Sequence, residues 1–124
     1  MNEDKENIIV TKTYAFALQI VLVYKELSKK NEYVLSKQLL RCGTSIGANI
    51  HEAVASESKK DFIHKLGIGL KEARECSYWL RLLKDTQYID NEHFETLLKS
   101  CNEIIRILNS IILTTKERYL KSNS

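Results

Sequence analysis

The stretch LSKQLLRCGTSIGANIHEA, from Leu35 to Ala53, decides the fold of this chain. Read as one α-helix at about 100° per residue, it carries a continuous apolar stripe along one side. That stripe comprises Leu35, Leu39, Cys42, Ile46, Ile50 and Ala53. Beside it runs a polar row of four residues, one turn apart: Arg41, Ser45, Asn49 and Glu52. Gly43 and Gly47 lie on the far flank, where another helix can approach closely, so we expect this helix to pack on more than one side.

The composition of the whole chain favours helices throughout. There are no prolines and only four glycines among 124 residues, so long helices can run without interruption. A chain of this length buries roughly two thirds of its unfolded surface, which is enough for one core. We therefore expect a single all-α domain over residues 1–124, with its core from about 8 to 120.

Short polar joints divide the chain into four predicted helices. They run from about Ile8 to Lys29, Val34 to Val54, Ser58 to Lys84 and Asp90 to Tyr119. Ser58 and Asp90 are the predicted N-caps, and Asp61 completes a pair that resembles a capping box. The tail KSNS is expected to fray. Because short joints make neighbouring helices antiparallel, the sequence predicts an up-down-up-down four-helix bundle.

The first predicted helix has more apolar surface than one bundle core can cover. One side carries Phe16, Ile20, Val23 and Leu27, and the other carries Tyr14, Ala17, Leu18 and Val21. The surplus predicts a second interface, between subunits of a homo-oligomer. The alternative is a wide apolar stripe on an irregular monomeric bundle.

The cysteines and the apolar segments of the chain indicate the cellular compartment in which the protein works. Cys42, Cys76 and Cys101 are odd in number, form no CxxC pair and fall on apolar stripes, which fits buried free thiols in a reducing cytoplasm. The apolar run from Tyr14 to Tyr24 contains Gln19 and lacks the cleavage site of a signal peptide. It is also too short to span a bilayer. We expect a cytoplasmic protein without a membrane partner.

No pattern in the sequence predicts a metal or a cofactor. The nearest matches to the Glu-x-x-His element of di-iron bundles are Asp61-x-x-His64 and Asp90-x-x-His93. Both begin in the first turn of a helix, where an aspartate is better explained by capping and the helix dipole. His51 lies away from the apolar stripe of its helix.

Catalytic signatures are also missing from the sequence. Neither Arg41 before His51 nor Arg81 before His93 has the short spacing found in small helical ribonuclease and toxin domains. No glycine-rich phosphate loop, Ser-His-Asp grouping or zinc signature appears. A small nuclease is the remaining enzymatic alternative, and we do not expect an enzyme.

The polar row is the best candidate site. One helical turn separates its members, so we expect their side chains to form one linked hydrogen-bond network. In the structural interpretation, the row pairs with a neighbouring helix, through Glu72 and Glu75 in particular, and fixes register rather than adding stability. Trp79 lies near Glu72 at the flank of the same helix. We expect the flanks of the second and third helices, with Trp79 and the polar row, to hold subunits together. The functional interpretation is contact with a ligand or with RNA.

Two basic clusters are the candidate nucleic-acid contacts, in a chain with a formal charge of only +3. They comprise Lys59, Lys60 and Lys65, and Lys116, Arg118 and Lys121. Tyr119 lies within the second cluster, and basic groups interleaved with an aromatic ring can bind single strands. Solvated surface lysines are the plainer explanation.

Several segments of the chain resemble the 23S rRNA intervening-sequence proteins. They are YAFALQIVLVYKEL, LSKQLLRCGTSIGANIHEA, DFIHKLGIGLKEARE and YWLRLL, within Tyr14 to Leu113. The most specific motifs are R-x-x-x-S-x-x-x-N-x-x-E, beginning at Arg41, and E-x-x-x-W-L, beginning at Glu75. Cys42 departs from the family, which commonly has a small residue such as serine there.

The resemblance implies a four-helix bundle that assembles into a homopentameric ring. The chain is also similar to the accessory protein of diversity-generating retroelements, a more basic pentamer that binds nucleic acid and a reverse transcriptase. Our leading hypothesis is a non-catalytic scaffold or adaptor that contacts RNA or DNA. The alternative is a protein-binding module that docks an enzyme such as a polymerase without touching nucleic acid.

Overall fold

A computed structural model describes residues 3–122, which form four α-helices and no strand. They are α1 (Glu3–Lys29), α2 (Val34–Val54), α3 (Lys59–Asp85) and α4 (Asn91–Ser122). The prediction of an all-α fold is confirmed. Helix α1 begins five residues earlier than predicted, since acidic residues in its first turn suit the positive end of the helix dipole. The first half of the KSNS tail continues α4, and the second half lies outside the described residues.

The four helices form a bundle in which each helix packs on two neighbours. Helix α2 packs on α1 and α3, and α4 packs on α3 and α1, with no diagonal contact within residues 3–122. The joints are short, so consecutive helices run antiparallel. Helices α1 and α3 therefore occupy opposite corners. The seam between α1 and α4 has the sparsest packing of the four.

The core is built from one apolar stripe on each helix. On α2, every member of the predicted stripe except the half-buried Leu35 is buried. The largest fully buried side chains are Phe16, Ile9, Ile20, Leu27, Leu39, Ile46, Ile50, Leu66, Leu80, Leu83, Leu97 and Ile104. All four helices contribute to this set, so the bundle has one continuous core.

The glycines of α2 let it approach α1 closely, as the sequence predicts. A Cβ atom added at Gly43 would lie 2.7 Å from Cγ2 of Ile20. One added at Gly47 would lie 3.4 Å from the carbonyl oxygen of Thr13. A larger residue at Gly43 would collide with a buried isoleucine, so the spacing of α1 and α2 depends on that glycine.

Helix α2 begins on a buried carboxylate. The N-cap residue Tyr33 makes no side-chain cap bond. Instead, the carboxylate of Glu32 accepts from the backbone N–H groups of Val34 at 3.0 Å, Leu35 at 3.1 Å and Ser36 at 2.7 Å. Burial raises the pKa of Glu32, but the hydrogen bonds from Ser36, Leu35 and Val34 together outweigh it, and the pKa lies below 4.5. Glu32 therefore satisfies three N–H groups that a helix start leaves without partners.

The N-caps of α3 and α4 are those predicted from the sequence. The hydroxyl of Ser58 accepts from the N–H of Asp61 at 3.1 Å, and Oδ1 of Asp90 accepts from the N–H of His93 at 2.7 Å. No return bond from the Asp61 carboxylate to Ser58 is present in the described structure, so only half of a capping box forms.

Two helices end in the left-handed conformation without a glycine. Asn31 follows α1 with φ 63°, and Gln87 follows α3 with φ 68°. In the second case the N–H of Tyr88 reaches back to the carbonyl oxygen of Leu83 at 2.9 Å, and the corresponding bond after α1 has the same length. Both ends are Schellman motifs, in which glycine is the usual residue.

Candidate functional site

The first part of the polar row pairs with α3. Nη1 of Arg41 donates to Oε2 of Glu72 at 3.2 Å, and Nη2 forms an ion pair with Glu75. Gln38, one turn earlier on α2, accepts from the same guanidinium at 3.3 Å. Desolvation lowers the pKa of Arg41, but the nearby Glu75 and Glu72 carboxylates outweigh it and raise the pKa. Arg41 thus binds two consecutive turns of α3 from across the seam.

Trp79 extends this pairing along α3. Its indole Nε1 donates to Oε2 of Glu75 at 2.8 Å, the same oxygen that meets Arg41. The ring of Tyr78 stands edge-on to it, with the ring centroids 5.0 Å apart and the planes at 79°. Trp79 is half-buried and Tyr78 is exposed, so an aromatic edge faces outward beside the ion pair.

The rest of the polar row does not join this group. Nδ2 of Asn49 donates to the backbone oxygen of Ser45 at 2.9 Å and to its hydroxyl at 3.1 Å, within α2. Glu52 lies 3.8 Å from Nζ of Lys65 on α3. No hydrogen bond links Arg41 to Ser45, or Asn49 to Glu52, among residues 3–122. The single linked network expected from the sequence is therefore absent, because each long side chain finds its partner on α3 instead.

This geometry matches the structural interpretation of the row. Arg41 pairs with Glu72 and Glu75, the two carboxylates that the sequence suggested. Because the Arg41 side chain is half-exposed, the pair contributes little net stability and acts mainly on helix register. A role of Arg41 or Trp79 in holding subunits together stays a prediction.

The two basic clusters lie at the same end of the bundle. Lys59 and Lys60 begin α3, whereas Lys116 and Arg118 belong to the last turns of α4. An antiparallel bundle places these two helix ends side by side. Lys59 and Arg118 line one cavity of about 250 Å³. Residues more than fifty positions apart are thus brought to one surface.

The same cavity also carries compensating charge. Glu6 and Glu57 line it with Lys59 and Arg118, and Phe62 forms part of its wall. Lys59 and Lys60 also stand at the positive end of the α3 dipole, which raises the local positive potential. The surface is therefore mixed in charge.

A third basic group, at the opposite end of the bundle, escaped the sequence analysis. Lys25, Lys29, Lys30 and Lys37 are all exposed around the joint between α1 and α2. Tyr33, in that joint, is also exposed. The signal in the sequence is the Lys29-Lys30 pair at the end of α1. Lys25 and Lys29 lie in the last turns of α1, and Lys37 lies in the first turn of α2.

The two near-matches to the Glu-x-x-His element lie at the starts of α3 and α4. Within residues 3–122, no cluster of three or more histidine, cysteine or acidic side chains has a geometry that could hold a metal ion. His51, His64 and His93 are all exposed. Asp90 caps α4, which is the role expected for it.

The outer side of α1 is apolar and uncovered. Tyr14, Leu18 and Leu22 lie one turn apart with exposed fractions of 66%, 52% and 60%. Among the described helices, α1 alone is long and apolar enough to cross a membrane by length and composition. Its other side packs in the bundle core, as in a soluble protein, so this feature does not indicate a membrane protein.

These observations define a class: a four-helix bundle with an ion-paired seam, basic ends and no recognisable catalytic group in its described part. The chain belongs to the 23S rRNA-intervening sequence protein family, which it matches over residues 5–110. The resemblance proposed from the sequence is therefore confirmed.

A solved structure supports the same assignment. The chain is similar to a protein of unknown function from the S23 ribosomal protein family of Bacteroides thetaiotaomicron. The two are 50% identical with a TM-score of 0.85, covering 87% of this chain and 97% of the other. No protein with a curated description matches the chain significantly. The biochemical role of this family is thus not established.

Proposed function

We propose that this protein is a non-catalytic, cytoplasmic, ring-forming scaffold that contacts nucleic-acid phosphates through its basic ends. The observation that carries this proposal is the meeting of two sequence-distant basic clusters at one end of the bundle. Lys59 and Arg118 share a cavity wall there. Phosphate contacts of this kind provide affinity without reading sequence.

Ring assembly multiplies a weak charge. A formal +3 per chain becomes about +15 in the pentamer that the family resemblance implies. Each subunit also presents the same cluster in the same orientation, so a long nucleic acid meets several copies at once. Repeated weak contacts of this kind bind together more tightly than any one of them.

A closed ring needs two different surfaces on each subunit, because each copy contacts two neighbours through a head-to-tail interface. The outer side of α1 offers the first, with Tyr14, Leu18 and Leu22 exposed. The flank of α3 around Trp79 offers the second. Helices α1 and α3 do not contact each other within the described bundle, so these two surfaces do not overlap.

Light scattering with circular dichroism tests the assembly. Trp79→Ala, or Leu18→Ala with Leu22→Ala, should lower the oligomer mass while helicity is retained. Leu113→Ala is the matched control, since Leu113 is an equally exposed leucine on α4 and should leave the mass unchanged. Full oligomer mass in both test variants would count against these interfaces.

Salt-dependent binding to structured RNA and duplex DNA tests the nucleic-acid contact. We expect binding that weakens steeply with salt, and a shallower slope for Lys59→Gln with Arg118→Gln. Lys71→Gln is the control, because Lys71 is exposed on the middle of α3. Absence of binding at low salt would discard this proposal.

Docking of a protein such as a polymerase is the second candidate function. The acidic Glu6 and Glu57 beside Lys59 and Arg118 favour it, because a mixed surface suits a protein better than a phosphate backbone. Such docking need not show the steep salt dependence of phosphate contacts. The same titration, carried out with a purified partner, separates the two functions.

A further inference from the structure

Three thiols lie in the core of the bundle, and two of them are in contact. Cys42, Cys76 and Cys101 are all fully buried. Sγ of Cys76 lies 3.1 Å from Sγ of Cys42, across the seam between α3 and α2. Cys101 on α4 instead donates to the backbone oxygen of Ala73 at 3.1 Å. One pair of sulfurs is therefore set apart from the third.

Small residues on α3 allow this contact. A Cβ atom added at Gly69 would lie 3.1 Å from Cδ1 of Ile50, so α3 and α2 approach closely there. Ala73, one turn before Cys76, is also fully buried. A disulfide has an S–S length of about 2.05 Å, so the two sulfurs need to move roughly 1 Å closer. Rotation of the two cysteine side chains is the movement that we expect to close this gap.

In the resting state Cys76 is protonated. The hydrogen bond to Cys42 and the burial of Cys76 both raise the pKa of Cys76 far above that of a free thiol. Burial raises the pKa of Cys101 to about 12. The thiolate is the reactive form, so oxidation of the pair requires the seam to open transiently.

We propose that Cys42 and Cys76 are a modification site: a latent disulfide that joins α2 to α3 when the protein meets a thiol oxidant. With an azo oxidant such as diamide, two S–H bonds break and one S–S bond forms. Two electrons and two protons pass to the N=N group, which becomes a hydrazine. Cys101 stays reduced. The new bond lies one residue from Arg41 and one from Glu75, so it clamps the seam that this ion pair spans.

Oxidation of the native protein followed by alkylation and tryptic digestion tests the site. Trypsin separates the three thiols into peptides 42–59, 75–81 and 100–106. We expect an intact mass lower by about 2 Da, the first two peptides joined, and the third alkylated. Trp79 is the sole tryptophan and lies one turn from Cys76. Its emission should fall on oxidation and recover with dithiothreitol.

Variants separate the pair from the third thiol. Cys42→Ala and Cys76→Ala should each abolish the mass loss, whereas Cys101→Ala should retain it. The peptide map of the protein without substitutions tests the proposal even if a variant folds poorly. A linkage that includes Cys101, or linkages only between molecules, would overturn the proposal. So would intact thiols in the native protein under conditions that oxidise the urea-unfolded chain.

Discussion

Replacing Glu32 should weaken the bundle more than its place in a surface joint suggests. Its carboxylate accepts from three backbone N–H groups at the start of α2, and the residue is buried. We consider Glu32→Ala, which removes every acceptor, and Glu32→Gln, which keeps one oxygen but loses the charge. Glu26→Gln is the control, because Glu26 is exposed on the last turns of α1.

The expected loss of stability follows from where the three N–H donors lie. Val34 is exposed, so water can replace the lost partner of its N–H at little cost. Ser36 is fully buried, so its N–H loses a hydrogen bond of 2.7 Å and water cannot replace the lost acceptor. An unsatisfied buried donor costs about 1–3 kcal/mol, and a lost helix cap about 1 kcal/mol. We expect Glu32→Ala to lower the free energy of unfolding by about 2–3 kcal/mol and Glu32→Gln by about 1 kcal/mol.

Urea denaturation at several pH values provides the test. The folded-state pKa of Glu32 lies below its ordinary value of 4.5, so its contribution is present above that pH. It is lost as the pH falls through the folded-state pKa. The difference between the unmodified protein and Glu32→Gln should therefore shrink from pH 7 to pH 3. The difference for Glu26→Gln should stay near zero throughout. If Glu32→Ala were as stable as Glu26→Gln at pH 7, the capping argument would be wrong.

Further predictions concern glycine positions and helix ends, and denaturant midpoints measure each of them. Gly67→Ala should stabilise the protein by about 1 kcal/mol, because no atom of residues 3–122 outside its own helical turn lies within 4 Å of the added Cβ. Gly43→Ala should destabilise it by about 1–3 kcal/mol, because its Cβ would lie 2.7 Å from Ile20; the same sign for both variants would refute the packing argument. Gln87→Gly should raise the free energy of unfolding by about 1 kcal/mol, because glycine adopts the positive φ of this position without strain. Asn31→Gly should raise the free energy of unfolding by less than Gln87→Gly, since asparagine tolerates this conformation. A larger gain for Asn31→Gly than for Gln87→Gly would contradict the reasoning.

The sequence predicted the helices well because their signals are local. Apolar periodicity, the absence of proline and the caps Ser58 and Asp90 depend only on near neighbours. The start of α1 was misplaced because the acidic residues before Ile8 carry no apolar periodicity, although they suit a helix N-terminus. The cap by Glu32 was also missed, because its acceptor comes from outside the first turn, one residue before Tyr33.

The candidate site was predicted only in part, because its contacts join residues that lie far apart in the sequence. Glu72 and Glu75 were identified as partners of Arg41 because they lie about one turn apart on the adjacent helix. Their attraction for Arg41 is also why Arg41 does not link to Ser45 within α2. The contact of Cys42 with Cys76 depends on how far α2 and α3 are shifted along their axes relative to each other. The spacing of side chains within one helix does not define that shift.

The two-sided character of α1 has a consequence for synthesis on the ribosome. Helix α1 emerges before the other described helices, and the glycines of α2 against which it packs follow its last residue by 14 and 18 positions. Until then, α1 is long and apolar enough to resemble a membrane segment to any factor that inspects nascent chains. Completion of α2 hides one side of this helix. Before that moment the apolar side of α1 is exposed to solvent, which favours binding by chaperones.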